Sequence, residues 1–383
     1  MAKTDIPTPP GTGLVGKLIP EQKEFLKQMW AEIFRLIDAS DSNAPVADLL
    51  AVPSAAAETA SVKSKTSTIK KNSLLLRFLR ARKWNVTNGL NMILKAFKWR
   101  LEDDIEEVKA KNEDELDAKY RGFKLQMELG KSFVHGTDKV GRPIVYIPVR
   151  LHKPSDQDPK ALERFTIYVM EMGRLMIQPP VETACLVFDM TGFSLANMDY
   201  AFVKFLVQCF EAYYPESLGV LLIHKAPLVF WGVWKIIEPW LDPVVASKIR
   251  FTRSDKEILE SIDAEHLPIK YDVGKDQYEY KYIPAVAGEN DCMKDTETKE
   301  RLTEEWMAIL WKYEALTREW IACKKTEGSR SEEVIEAERM ALAKDLRVAY
   351  FKLDPYIRAR SLYHRTDQPV LHADGTATWT YKN

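Results

Sequence analysis

The residues able to do covalent chemistry are few, and their spacing suits it poorly. Gly192-Phe193-Ser194-Leu195-Ala196 approaches the Gly-x-Ser-x-Gly turn that presents a nucleophilic serine after a strand, with Asp189 as a nearby acid and His224 or His266 as a base. The match is incomplete. Met190-Thr191 separates strand from glycine, the last glycine is Ala196, and Asp189 precedes the serine, against the chain order of that fold. Capping of the next turn by Ser194 or Asn197 explains the same residues without a nucleophile. The histidines (His135, His152, His224, His266, His364, His372) show no paired ligand spacing, and His224 reads as a core residue ending a strand. Cys185, Cys209, Cys292 and Cys323 are far apart, as reduced structural thiols of a cytosolic protein would be. Gly11-Thr12-Gly13 lacks the preceding strand and the Lys-Ser/Thr pair of a phosphate loop. The expectation is no catalytic residue, no metal and no cofactor.

The elements around these residues are better defined. Residues 184–189 and 219–224 are short apolar runs ending in a polar residue, the pattern of strands buried on both faces. Between them Met198, Phe202, Phe205/Leu206, Cys209/Phe210 and Tyr213 recur at helical spacing. The result is a βαβ unit with parallel strands and a right-handed crossover. Residues 228–241 then form a helical run that is apolar almost all round, yet too short and too interrupted by Pro239 to span a bilayer. Asp242-Pro243 caps a following turn, and residues 249–252 make a third strand.

Four motifs then carry a resemblance. They are Leu75-Leu76-Arg77-Phe78-Leu79-Arg80-Ala81-Arg82-Lys83, Asp138-Lys139-Val140-Gly141-Arg142-Pro143, Tyr213-Tyr214-Pro215-Glu216, and the segment from Asp242 to Lys248. In order and spacing, over residues 70–280, they resemble the CRAL-TRIO lipid-binding domain of fungal phosphatidylinositol transfer proteins. The resemblance implies an α/β fold with a mixed, mostly parallel sheet, a hydrophobic lipid pocket, and here N- and C-terminal helical additions. It also implies a lipid headgroup site at Arg82, Lys83, Glu216 and Lys248, with Asp138 as a further nearby acid. A carboxylate acceptor with lysine and arginine donors suits an inositol phosphodiester.

Exposing a diacyl lipid with about 30 methylenes to water costs about 24 kcal/mol, so such a lipid needs a closed pocket. The 230–241 run suits a gate on it, with Phe230, Val233, Trp234 and Ile237 toward the lipid and Trp231 and Trp240 toward the membrane interface. The sequence also departs from the phosphatidylinositol/phosphatidylcholine exchangers. Ser217 stands for their arginine, Val245 for a threonine, Ala184 and Leu186 for two hydroxyl residues, and Val134 and Val145 for tyrosines. Lost donors and lost cation–π seats argue against choline lipid. A pocket lined by Ala184, Leu186 and Val245 suits a sterol or a squalene-like isoprenoid as second ligand.

The chain has 383 residues, with Lys+Arg 55 against Asp+Glu 56, so no global charge argues for nucleic acid. With no charged-then-apolar leader, the expectation is a cytoplasmic monomer that is peripheral at membranes and contacts them transiently. Residues 1–72 read as an arm, a helix over 21–37 and a flexible linker with a Ser/Thr/Lys cluster. Residues 73–124 read as a helical subdomain, 125–285 as the lipid-binding domain, and 286–383 as a helical extension. The helices of the extension, over 300–324 and 331–353, form a hairpin whose apolar faces bury each other and the main domain or recruit a protein. The function expected is phosphatidylinositol binding with exchange or presentation at membranes. The alternatives are a lipid or haem sensor or scaffold without transfer and, last, a serine hydrolase using Ser194.

Overall fold

The computed structural model describes residues 11–40, 72–323 and 330–382. Most of the expected arm and linker, including the Ser/Thr/Lys cluster, lies outside the described residues, as does the stretch 324–329 between the two hairpin helices. In chain order the longer elements are α1 (Pro20–Ser40), α2 (Asn72–Ala81), α3 (Val86–Glu102), β1 (Phe133–Thr137), β2 (Pro143–Pro148), α4 (Pro159–Met176), β3 (Ala184–Asp189), α5 (Tyr200–Gln208), β4 (Leu218–His224), α6 (Phe230–Ile237), β5 (Ile249–Thr252), α7 (Thr296–Ala322) and α8 (Glu332–Ile357). They form two compact units: a helical one (Met1–Glu107, Asp291–Arg358, Ala373–Gly375) and one built on a sheet (Val108–Asn290, Ala359–His372, Thr376–Asn383).

The sheet has the order β1-β2-β3-β4-β5; β1 and β2 are antiparallel, and the other neighbours are parallel. Because side chains alternate along a strand, each strand serves two cores. One face sends Ile144, Tyr146, Cys185, Val187, Val220 and Leu222 against Ile258, Ile262, Leu267 and Tyr271. The other sends Leu221, Ile223, Phe188, Ile249 and Phe251 toward α6, where Phe230, Val233 and Ile237 are buried. Each such side chain stabilises by about 1.5–3 kcal/mol when fully buried. The register aligns Val134, Val145, Leu186, Leu221 and Ile249 in one row across all five strands. No hydroxyl interrupts that row.

The crossover helix differs from its expected form. The spacing predicts one helix with a buried face, but no residue of α5 is fully buried, and α5 stops at Gln208 and continues as a π-helical turn over Cys209–Tyr213, where Cys209 is buried. A π-turn inserts one residue per turn, so the three- and four-residue spacing remains readable while the register shifts.

In the helical unit, α1 buries Leu26, Met29, Trp30, Ile33 and Phe34. Trp30 stacks on Phe34 at 5.4 Å and meets Tyr313 of α7 at 6.4 Å. Asn72 Oδ1 accepts from Trp30 Nε1 (2.9 Å), Tyr313 OH (3.2 Å) and Arg339 Nη2 (3.1 Å), tying α1, α2, α7 and α8 together. Arg339 is 3% exposed, lies 4.1 Å over the Trp320 ring and donates to Thr317. The hairpin face is therefore covered by α1. The helices expected as separate additions at the two ends of the chain form one unit. α3 ends at Glu102, where Asp103 donates its N–H to the Leu101 and Trp99 carbonyls and Asp104 turns left-handed at φ 45°.

Candidate functional site

Glu216 and Lys248 stand just before β4 and β5, at the N-terminal end of the parallel strands. Lys248 Nζ lies 3.6 Å from Glu216 Oε2, with the two side chains 20% and 23% exposed. At that distance and exposure the pair is an ion pair without a hydrogen bond, stabilising by at most about 1 kcal/mol, and both groups remain open to a ligand. Lys248 is held by its backbone, since its N–H donates to Val245 O and its carbonyl accepts from Leu221 N. Glu216 follows Pro215 and takes a left-handed conformation at φ 55°, which costs a side-chain-bearing residue about 1–2 kcal/mol. Val245 is half-buried in the turn Pro243–Ala246, whose cap is Asp242 accepting from Val244 N.

Asp138 is 4% exposed. Its Oδ1 accepts from Val140 N and Arg142 N, and its Oδ2 lies 3.3 Å from Arg142 Nη1, so the carboxylate closes the β1–β2 turn. Arg142 also donates from Nε to Thr183 Oγ1 and lies so close over Gly219 that a Cβ there would meet both groups. The structure thus adds the Arg142 guanidinium beside the start of β4, two residues past Ser217. The Asp138 to Pro143 motif contained that signal. Arg82 and Lys83 belong to the helical unit, so they are described apart from Glu216 and Lys248. Arg82 Nη1 donates to Ala81 O, and Lys83 and Trp84 turn left-handed between α2 and α3 at φ 48° and 66°.

Along the row facing α6, Ala184 and Leu186 share one side of β3 with Phe188. Phe230 meets Phe193 edge-on at 5.6 Å, and Trp234 meets Phe251 at 5.1 Å. Trp231 is 42% exposed with its ring 4.7 Å from Phe251, while Trp240 contacts Tyr200 and lies under Lys204 Nζ. Leu228, 90% exposed, together with Val229 and Ile236 leaves apolar surface along the outer side of α6.

The C-terminal end of the strands is closed. His224 is fully buried: Nδ1 meets Thr252 Oγ1 at 3.0 Å and Nε2 meets Asp255 Oδ1 at 2.8 Å. Lys225 Nζ lies 2.7 Å from the same carboxylate oxygen. Burial holds His224 below the ordinary histidine range, against the pull of Asp189 and Asp255. Asp189 pairs with Lys270 at 3.3 Å; burial raises its pKa, but Lys270 and the Thr191 N–H outweigh it and leave the group below the usual carboxylate value. Ser194 Oγ donates to Asn197 Oδ1 at 3.0 Å, capping the turn Leu195–Asn197. Acid, base and serine of the hydrolase constellation are each engaged elsewhere, and both His224 nitrogens are occupied. No cluster of three or more His, Cys, Asp or Glu suited to a metal ion occurs among the described residues.

A mixed, mostly parallel sheet with an apolar helix laid on one face and a loose charge pair at one end is the class of fold this chain adopts. Family models agree: residues 127–274 match the CRAL/TRIO domain, and residues 23–95 match the CRAL/TRIO N-terminal domain. A CRAL-TRIO domain-containing protein of Schizosaccharomyces pombe is 45% identical over 295 residues, covering 77% of this chain and 65% of that protein. The phosphatidylinositol transfer protein CSR1 of Eremothecium gossypii is 42% identical over 295 residues, covering 76% of this chain and 67% of that protein. The match thus spans about two thirds of each relative's own length. The crystal structure of Sfh5 aligns at a TM-score of 0.46 and 16% identity, covering 62% of this chain and 83% of that one. On the sequence matches, the chain belongs to the CRAL/TRIO family. No helix among the described residues is long and apolar enough to cross a membrane.

Proposed function

We propose that this protein binds phosphatidylinositol in a gated apolar pocket and exchanges or presents it at membranes, without covalent chemistry. The observation that carries this is the Glu216–Lys248 pair, partly exposed and only loosely joined at 3.6 Å. Lys248 would take the phosphodiester and Glu216 the inositol hydroxyls, with Arg142 and its Asp138 support beside them. The relative that is a phosphatidylinositol transfer protein supports the same reading. α6 would be the gate. Lifting Phe230, Val233 and Ile237 off the sheet face opens room for acyl chains against Ala184, Leu186 and the Val134-to-Ile249 row. The exposed Leu228, Val229, Trp231 and Ile236 would touch the bilayer during exchange.

The hydroxyl-free row favours a sterol or squalene-like molecule over phosphatidylcholine as second ligand, because it offers a choline lipid no donor and no aromatic seat. Mass spectrometry of lipid extracted from the purified protein tests both parts. Phosphatidylinositol should be present in the parent and lost in the double variant Lys248→Ala, Glu216→Ala, while an apolar ligand persists. Stoichiometric phosphatidylcholine would overturn the second-ligand reading, and phosphatidylinositol unaffected by the double variant would overturn the headgroup assignment. Bound phosphatidylinositol that never exchanges between vesicles would mark a sensor.

A further inference from the structure

Pro215 alone does not hold Glu216 in its left-handed turn; the residue before it is fixed at three points. Tyr214 is 7% exposed, its N–H donates to Cys209 O at 2.7 Å, and its carbonyl accepts from Ser217 Oγ at 2.5 Å. Its hydroxyl donates to Glu171 Oε1 at 2.9 Å. Glu171 lies on α4, 4% exposed, and Arg174 Nη1 reaches both its oxygens at 3.0 and 3.3 Å. A buried carboxylate needs such partners, and here they form an anchor on a different helix from the segment they hold. Upstream lies the π-helical turn Cys209–Tyr213 and downstream the left-handed Glu216, two conformations that persist only where surrounding structure enforces them.

We propose that Tyr214 and Glu171 are a positioning pair that aims Glu216 and so sets selectivity for inositol among anionic headgroups. The proposal rests on the headgroup reading above. Without the tyrosine hydroxyl, Glu216 relaxes from φ 55° to an ordinary backbone region and its carboxylate turns away from Lys248. Lys248 keeps its own backbone anchors to Val245 and Leu221 and still attracts any phosphodiester. Discrimination by hydroxyl acceptance is lost, while general anion affinity stays.

The experiment measures lipid captured by the full chain from vesicles of phosphatidylcholine doped with either phosphatidylinositol or phosphatidylmethanol, a phosphodiester anion with no headgroup hydroxyl. Tyr214→Phe should lower phosphatidylinositol capture about tenfold and change phosphatidylmethanol capture less than about twofold. Glu171→Gln, whose amide oxygen still accepts the hydroxyl, should stay within about threefold of the parent on phosphatidylinositol. Tyr214→Phe added to Glu216→Ala should cause no further loss. Equal loss on both lipids, or full additivity with Glu216→Ala, would overturn the positioning role while leaving the headgroup site standing. A Glu216→Ala variant with unchanged phosphatidylinositol capture would overturn the headgroup site and, with it, the positioning pair.

Discussion

At the N-terminal end of the parallel strands, Glu216 and Lys248 face each other at 3.6 Å with about a fifth of each side chain exposed. At the C-terminal end, His224, Lys225 and Asp255 meet at 2.7–2.8 Å, the imidazole wholly buried, and Asp255 also accepts the Asp272 N–H. Both ends hold charges of both signs on the same strands. They differ in whether those charges already satisfy one another. A loose pair that a ligand is to part has to be held by its backbone rather than by its side chain, as Lys248 is through Val245 and Leu221. A group that closes a core needs its side chain saturated, because a buried unpaired charge costs far more than an exposed one. Sequence alone offered His224 as a possible base while reading it as a core residue, and its environment assigns it to structure.

The largest effect should come from breaking the closed end. Asp255→Ala leaves His224 and Lys225 without their shared acceptor and should destabilise the protein by about 3 kcal/mol in urea unfolding, while phosphatidylinositol bound per folded molecule stays constant. A loss below about 1 kcal/mol would erase the distinction between the ends. Next, Lys248→Ala should weaken phosphatidylinositol capture by about tenfold to a hundredfold and move stability by less than about 1 kcal/mol. A stability loss as large as that of Asp255→Ala would make Lys248 a structural group.

Acid should act through the histidines. Burial holds His135, His152 and His224 below the ordinary value of 6.5, with their aspartate partners only partly opposing it. The unfolded chain therefore binds protons that the folded one refuses. Stability should be complete above about pH 6.5 and should fall as the pH drops below it. Thermal melts from pH 7.5 to 5.5 should show the decline, Lys248→Ala should keep it, and a flat profile would contradict it. The smallest effect is a control at the Glu216–Lys248 end. Tyr381 OH accepts from Thr137 N at 3.0 Å and so covers the open edge of β1. Tyr381→Phe should cost about 1 kcal/mol of stability and leave lipid capture unchanged.

Much of this architecture is legible in the residues because it is local. The apolar runs at 184–189 and 249–252 form β3 and β5 with those bounds, and 219–224 forms β4 with one residue added. Period-two alternation also decides which side chains share a face, so the spacing of Ala184 and Leu186 is enough to group them. The capping of the 195–197 turn by Ser194 follows from side-chain chemistry alone. Less legible is the site's support. Glu171 lies 43 residues before Tyr214, and no periodicity links them. The left-handed Glu216 is a non-glycine, a residue type that gives no warning of positive φ.

The sequence by itself determined the strands, their two faces, the apolar helix laid over one of them and the charged residues at the turns. Those follow from hydrophobic period and turn chemistry, which act over a few residues. Only the tertiary structure decided which charges stay open and which are saturated, because that depends on partners brought from distant segments. It alone joined the N-terminal helix to the C-terminal hairpin, through Asn72 accepting from Trp30, Tyr313 and Arg339. An acceptor drawn into the packing must find its donors wherever the fold supplies them, and no short window of sequence records where that is.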